Sequence, residues 1–138
     1  MADLTITAAN VISGADAIKD GGVAGVAITA GQSLALDTTT TPNTIKLCDV
    51  NSASAWQRTS IGISLHAAAI GQPIAYQKGG KMAIGATVAI GTAYYASGTP
   101  GGIRPGADNT TGDYPMQIGI GVSTTEIRVT LQAAGASL

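Results

Sequence analysis

The chain contains no phenylalanine, one tryptophan, one cysteine and one histidine in 138 residues, and aromatics make up only 4% of it. With 45% hydrophobic residues, its core has to be assembled from Ala, Val, Ile and Leu, whose small side chains demand thin, closely approaching layers. The single cysteine, Cys48, excludes an internal disulfide, so stability has to come from packing or from partner subunits. Charge is equally scarce. Seven Lys and Arg against eight Asp and Glu leave a net charge of -1, no field with which to hold nucleic acid or an anionic membrane. No apolar run approaches the roughly 20 residues that a spanning helix needs, and the start Met1-Ala2-Asp3 lacks the basic and apolar regions of a signal peptide; a protein made and kept in a cytosol is expected.

Glycine is what the chain has in excess. Its 19 glycines follow no collagen-like period and punctuate short apolar runs, a pattern of many strands and tight turns. Alternation predicts strands over 33–37, 44–48, 59–65 and 126–131, with Ile61, Ile63 and Leu65 on one face of the third. Pro73 marks a strand start or an edge, and Gly79-Gly80, flanked by Lys78 and Lys81, reads as a hairpin turn. Residues 52–57 carry Ser caps and helix-tolerant side chains, enough for one short helix. Leu4-Thr5-Ile6-Thr7 alternates as a strand, whereas 8–20 is small, polar and without period. Residues 1–20 are therefore expected to form an N-terminal strand and extended arm, and 21–138 a single β domain.

Within that domain the landmarks recur. Aligning Gly31 with Gly91, Ile45 with Ile103 and Ile61 with Ile118 gives offsets of 60, 58 and 57, so the chain is read as internally duplicated, with similar units over about 25–66 and 85–131. The expected fold is all-β: a compact sandwich or barrel-like body of short strands.

A search for chemistry finds none to assign. Asp20, Asp37, Asp108 and Asp113 stand beside Gly, Thr or Asn, and Asp49 two residues before Asn51, in expected turns where Asp serves Asx hydrogen bonds. No Gly-x-Ser-x-Gly elbow occurs, His66 has no evident acidic partner, and Cys48 reads as a small buried hydrophobe. The Gly-rich turns lack the following helix and Lys-Ser or Lys-Thr of a phosphate loop, and Asp108, Asn109 and Asp113 lack the spacing of a calcium loop. A non-enzyme with no catalytic, cofactor-binding or metal-ligating residue is expected. Trp56 has to enter either the core, as a plug between sheets, or a partner. Tyr94 and Tyr95, adjacent on a strand, must face opposite ways. The candidate contact residues are Leu4, Ile6, Val11, Ile12, Trp56, Tyr94 and Tyr95.

The succession Gly71-Gln72-Pro73-Ile74-Ala75-Tyr76, Gly85-Ala86-Thr87-Val88, Gly91-Thr92-Ala93-Tyr94-Tyr95-Ala96-Ser97, Gly101-Gly102-Ile103-Arg104-Pro105, Gly112-Asp113-Tyr114 and Ile118-Gly119-Ile120-Gly121-Val122-Ser123 resembles small tailed-phage decoration, or capsid cement, proteins. It covers about half the chain, and its motifs are strand and turn punctuation that carry over no catalytic residue. The resemblance implies a β-rich protein made in a bacterial cytoplasm and bound, as a homotrimer or dimer, to the major capsid protein. Its place would be the outer capsid surface of the virion, which it would reinforce against packaged DNA. No cofactor, membrane or direct nucleic-acid contact is expected. A segment such as Leu4 to Ile6 would add to a neighbour's sheet edge. Other readings are a phage tail, neck or head-fibre component, and a carbohydrate- or host-receptor-binding β module.

Overall fold

A computed structural model describes residues 3–138. It is all-β. Ten strands run β1 (Val11–Ser13), β2 (Ile18–Val23), β3 (Ser33–Asp37), β4 (Thr44–Leu47), β5 (Gly62–Ser64), β6 (Pro73–Ile84), β7 (Ala93–Ala96), β8 (Ile103–Pro105), β9 (Met116–Gly121) and β10 (Glu126–Ala133). Helical structure among the described residues is confined to two 3₁₀ turns, Ala8–Asn10 and Gly106–Asp108.

Every ladder between named strands is antiparallel, and the sheet order is β4-β3-β5-β6-β10-β9-β7-β8, with β1 and β2 also on β6. Outward from the central β6–β10 pair the same arrangement is read twice, β6-β5-β3-β4 on one side and β10-β9-β7-β8 on the other. The registers agree residue by residue. Leu34 opposes Gly62 as Tyr94 opposes Gly119, and Leu36 opposes Ile45 as Ala96 opposes Ile103. These pairs are related by the same three offsets that the sequence carries. The equivalence also takes in β6 and β10, so the first unit runs past residue 66.

Strand β6 belongs to two curled sub-sheets. Its first part, opposite Ile18 to Val23 of β2, also pairs with β5; its last part, Gly80 to Ile84, pairs with β10 and β1. The change of partner happens at Gly79-Gly80, which is therefore a bend inside the longest strand. A hairpin was expected there, but a hairpin needs a returning strand, and both flanks of this pair are engaged with other strands. Gly80 has φ +82°, a conformation that L side chains rarely adopt, and a Cβ on it would strike the backbone of Asp16 and Ala17. The bend is held from both sides. Asp16 Oδ1 accepts the Lys81 N–H at 2.9 Å, and the buried Gln77 side chain donates from Nε2 to the Gly79 and Lys81 carbonyls, each at 2.9 Å.

Two apolar clusters follow from the two sub-sheets. Leu34, Ile45, Ile74 and Tyr76 gather with Ala24 and Ile28 in one; Ala35, Ile63, Met82, Ile84, Tyr94, Ile118 and Ile127 gather in the other. Strand β3 lies between them, with Leu34 turned to one and Ala35 to the other, which is why it is buried on both faces. Ile61 packs with the first cluster and Ile63 and Leu65 with the second, so the expected single face over these residues is broken. Strand β5 begins only at Gly62, and Ile61 lies in the irregular stretch before it, its N–H on Leu34 O at 2.8 Å.

The N-terminal region departs from its expected form. Leu4 to Thr7 is not a strand: its N–H groups make separate bonds, Leu4 to Ile103 O at 2.7 Å and Thr7 to Gly85 O at 2.8 Å, and the Thr7 carbonyl accepts the Asn10 N–H at 3.0 Å. Residues 8–20 are no free arm, because β1 and β2 both pair with β6, and β2 crosses the boundary expected at residue 20. The pattern was silent because all six residues of β2 are exposed, so no apolar alternation is written into them. The expected helix over 52–57 is a series of turns. Ser52 Oγ accepts the Ser54 N–H and donates to Gln57 Oε1, side-chain competition that works against helical bonding.

Comparison of two glycines tests the bend. Gly71 (φ +86°) has nothing within 4 Å of an added Cβ, so Gly71→Ala should cost about 1 kcal/mol, the price of the left-handed conformation alone. Gly80→Ala adds a backbone collision and is expected to lose at least about 1 kcal/mol more. Urea midpoints of the two variants read the difference.

Candidate interaction surface

The proposed contact residues separate by burial. Val11 and Tyr94 are buried in the larger cluster, and Tyr94 Oη accepts the Ala89 N–H at 2.9 Å. Leu4 and Ile6 pack half-buried against that same cluster. These four serve the protein's own core, a correction to their reading as free contact residues: in a chain without Phe, such side chains supply much of the apolar volume. Trp56 is neither a buried plug nor a free anchor; it lies half-buried against the cluster, with Lys46 Nζ 5.9 Å from its ring centre. Tyr95 is half-buried on the opposite side of its strand from Tyr94, beside Pro115, Gln117 and Gln132. Ile12 alone of the seven is open to solvent, at 62% exposure.

Ile12 stands in a defined surface. It is opposite Ala83, itself opposite Glu126; the adjacent row runs Lys81, Arg128, Ile120, Ala93 across β6, β10, β9 and β7. This outer face therefore places Ile12 and Ile120 at either side of a charged centre. Asp16 joins that centre, its Oδ2 3.7 Å from Arg128 Nη1, and the Lys81 N–H above all holds its carboxyl below the usual range. A shallow depression of about 360 Å³, lined by Asn10, Ala83, Ala86, Thr87 and Thr125, adjoins Ile12. Sequence reasoning missed Ile120 because the bulge between Tyr94 and Tyr95 shifts the register of β9 there, exposing a residue that lies two positions from the buried Ile118.

The scarce charges are used for anchoring loops. Arg104 and Asp113, both buried, pair across the long loop between β8 and β9, and Asp113 Oδ2 also accepts the Thr110 N–H at 2.9 Å and its hydroxyl at 3.1 Å. Burial works against the Asp113 charge, but the Thr110 bonds and Arg104 prevail and its carboxyl titrates below the ordinary range. In the other unit Asp37 meets Lys46 Nζ at 2.6 Å and Thr39 Oγ1 at 2.5 Å, and these two contacts bring its carboxyl down to about 2.

The reactive side chains are occupied otherwise. Cys48 is fully buried, and burial, with Asp49 adding to it, pushes its thiol up to about 12, so it carries no thiolate near neutrality. His66 Nε2 accepts the Ala75 N–H at 3.1 Å, while Nδ1 lies 2.9 Å from Ala67 O. No group of three or more His, Cys, Asp or Glu among the described residues could hold a metal ion, and no helix there is long and apolar enough to cross a membrane. Neither a known protein family nor a curated protein matches this chain in sequence comparison.

Two measurements test the anchors. Arg104→Ala leaves the Asp113 carboxylate buried without its ion and is expected to cost about 3 kcal/mol in urea unfolding. For Asp37 the folded pKa lies below the unfolded value, so its contribution is present above about pH 4 and is lost as pH falls through about 4 toward 2. Asp37→Asn should flatten that part of the stability curve while leaving its slope above pH 5 unchanged.

Proposed function

We propose that this chain is a non-catalytic structural protein of a tailed-phage virion that decorates the outside of the capsid and binds the major capsid protein. The observation that carries the reading is the outer face of β1, β6, β10 and β9, where exposed Ile12 and Ile120 bracket Asp16, Lys81, Glu126 and Arg128. Apolar anchors around a mixed-charge centre suit a protein surface: the isoleucines gain by leaving water, and alternating charges set register without attracting polyanions. A buried, protonated Cys48 and a His66 engaged with its own backbone favour binding over catalysis. The resemblance of its Gly-punctuated strands to cement proteins supplies the partner.

On a capsid the affinity of one such face need not be high, because copies repeated over the shell act together. That face is carried on paired strands, so little ordering entropy opposes attachment.

Quantitative mass spectrometry of virions carrying this chain should give a copy number equal to, or a simple fraction of, that of the major capsid protein; a number matching tail or portal proteins would sink the capsid assignment. Ile12 is open to solvent, so Ile12→Asp should leave the folded protein intact by circular dichroism while weakening its binding to purified shells about tenfold or more.

A further inference from the structure

Three side-chain oxygens in the loop between β8 and β9 are shut off from water and have no hydrogen-bond partner among the described residues: Asp108 Oδ2, Asn109 Oδ1 and Asp113 Oδ1. In turns of this composition such oxygens ordinarily face solvent or cap a backbone N–H. These do neither. Asp113 is fully buried, and a buried acceptor without a donor, above all a carboxylate oxygen, is costly enough to call for a water or an ion beside it.

The nearby donors are already engaged. Arg104 Nη2, the Thr110 N–H and the Thr110 hydroxyl all meet Asp113 Oδ2, which leaves the other carboxylate oxygen with none. Arg104 pairs through one nitrogen only, and its Nε reaches no acceptor. A guanidinium facing both oxygens would form the two-bond fork, so Oδ1 is turned away from it. The Thr110 bonds also fold the loop back on itself. Asp113 Oδ2 lies 2.9 Å from the Thr110 nitrogen, the amide joined directly to Asn109, and Asp108 precedes Asn109 at the end of the 3₁₀ turn. This shape is pinned by the Asp113 N–H on Thr110 O at 3.1 Å and by two bonds to Leu138, Gly112 N–H to Leu138 O at 3.0 Å and Leu138 N–H to Asp113 O at 2.8 Å.

We propose that this loop is a site for a hard divalent cation, Ca²⁺ in preference to Mg²⁺, with Asp108 Oδ2, Asn109 Oδ1 and Asp113 Oδ1 as its protein ligands. Two carboxylates against one guanidinium leave the loop a negative charge in excess, and a set made only of oxygens suits a hard ion. Carboxylate and amide oxygens from an irregular loop fit the flexible coordination of Ca²⁺ better than the strict octahedron of Mg²⁺, with waters completing the shell. So few protein ligands place the affinity in the weak range, about 0.1–1 mM. Residues 107 and 110–112 are exposed, so an ion reaches the loop without the core opening. The spacing along the chain is not that of a calcium loop; the fold at Thr110 is what returns Asp113 toward the other two. The inference does not depend on a capsid partner.

The test is calorimetric titration of the full chain, first stripped with a chelator, against CaCl₂, together with its thermal midpoint in chelator and in about 10 mM calcium, well above the expected dissociation constant. One site per chain is expected, with a midpoint about 3 °C or more higher in calcium. Asp108→Asn keeps the size of the side chain and removes one carboxylate, so it should weaken binding by about tenfold or more while leaving the midpoint in chelator unchanged or raised. A side chain needed only for packing would instead lower the midpoint in chelator and leave the calcium response in place. Asp20→Asn, an exposed acid on β2, controls for diffuse attraction and should keep the full response. No binding heat and no change of midpoint at about 10 mM calcium would overturn the proposal. So would a response that Asp108→Asn leaves intact, one that Asp20→Asn abolishes, or one that MgCl₂ equals.

Discussion

One strand has to belong to two sub-sheets, and the rest of the molecule is arranged around that requirement. Strand β6 meets it at Gly79-Gly80 by a bend that only glycine accommodates, because Gly80 has a positive φ and the β1–β2 loop crosses directly over it. A bent strand exposes carbonyls that no ladder satisfies, and in an interior an unpaired carbonyl is costly. Gln77, fully buried, supplies the donors from within, and Asp16 accepts the Lys81 N–H from the surface. The N-terminal strands are consequently no appendage; β2 lies on the first part of β6, β1 on the last, and the loop between them fastens the bend.

The second governing constraint is side-chain size. A core without Phe cannot span a wide gap, so backbones have to come close, and glycines at equivalent places allow it. Gly62 and Gly119 occupy corresponding positions, and a Cβ on either would press on the carbonyl of the neighbouring strand, Gln77 at 2.5 Å and Arg128 at 2.7 Å. The same thinness puts β3 between two apolar clusters and draws Leu4, Ile6 and Trp56 inward. Among the described residues the buried charged ones are paired, Asp37 with the part-exposed Lys46 and Arg104 with Asp113, each pair fastening a loop where packing alone has too little side-chain volume to do so.

These constraints leave the outer face of β1, β6, β10 and β9, with Ile12 and Ile120 open to solvent, as the surface on which the proposed partner would sit. That face is built on paired strands. Attachment through such a face depends on side-chain complementarity.

Local chemistry sufficed to determine several features from the sequence by itself. Alternation and glycine punctuation specified an all-β chain, Pro73 marked the start of a strand, and the three offsets of the duplication matched the observed registers, because register is set by which residues can face a core. Burial of Cys48 was legible because no second Cys or nearby His gave it a chemical role, and a free Cys otherwise behaves as a small hydrophobe. The remainder needed the tertiary structure. A Gly-Gly pair has the same local preference in a hairpin and in a bend, and only the presence of β2, β10 and β1 around β6 decides between them. Strand β2, with no buried residue, left no pattern to read. Ile12 and Val11 are chemically alike neighbours, yet one is exposed and the other packed inside, since the strand's position on β6 chooses which of two alternating faces meets the core.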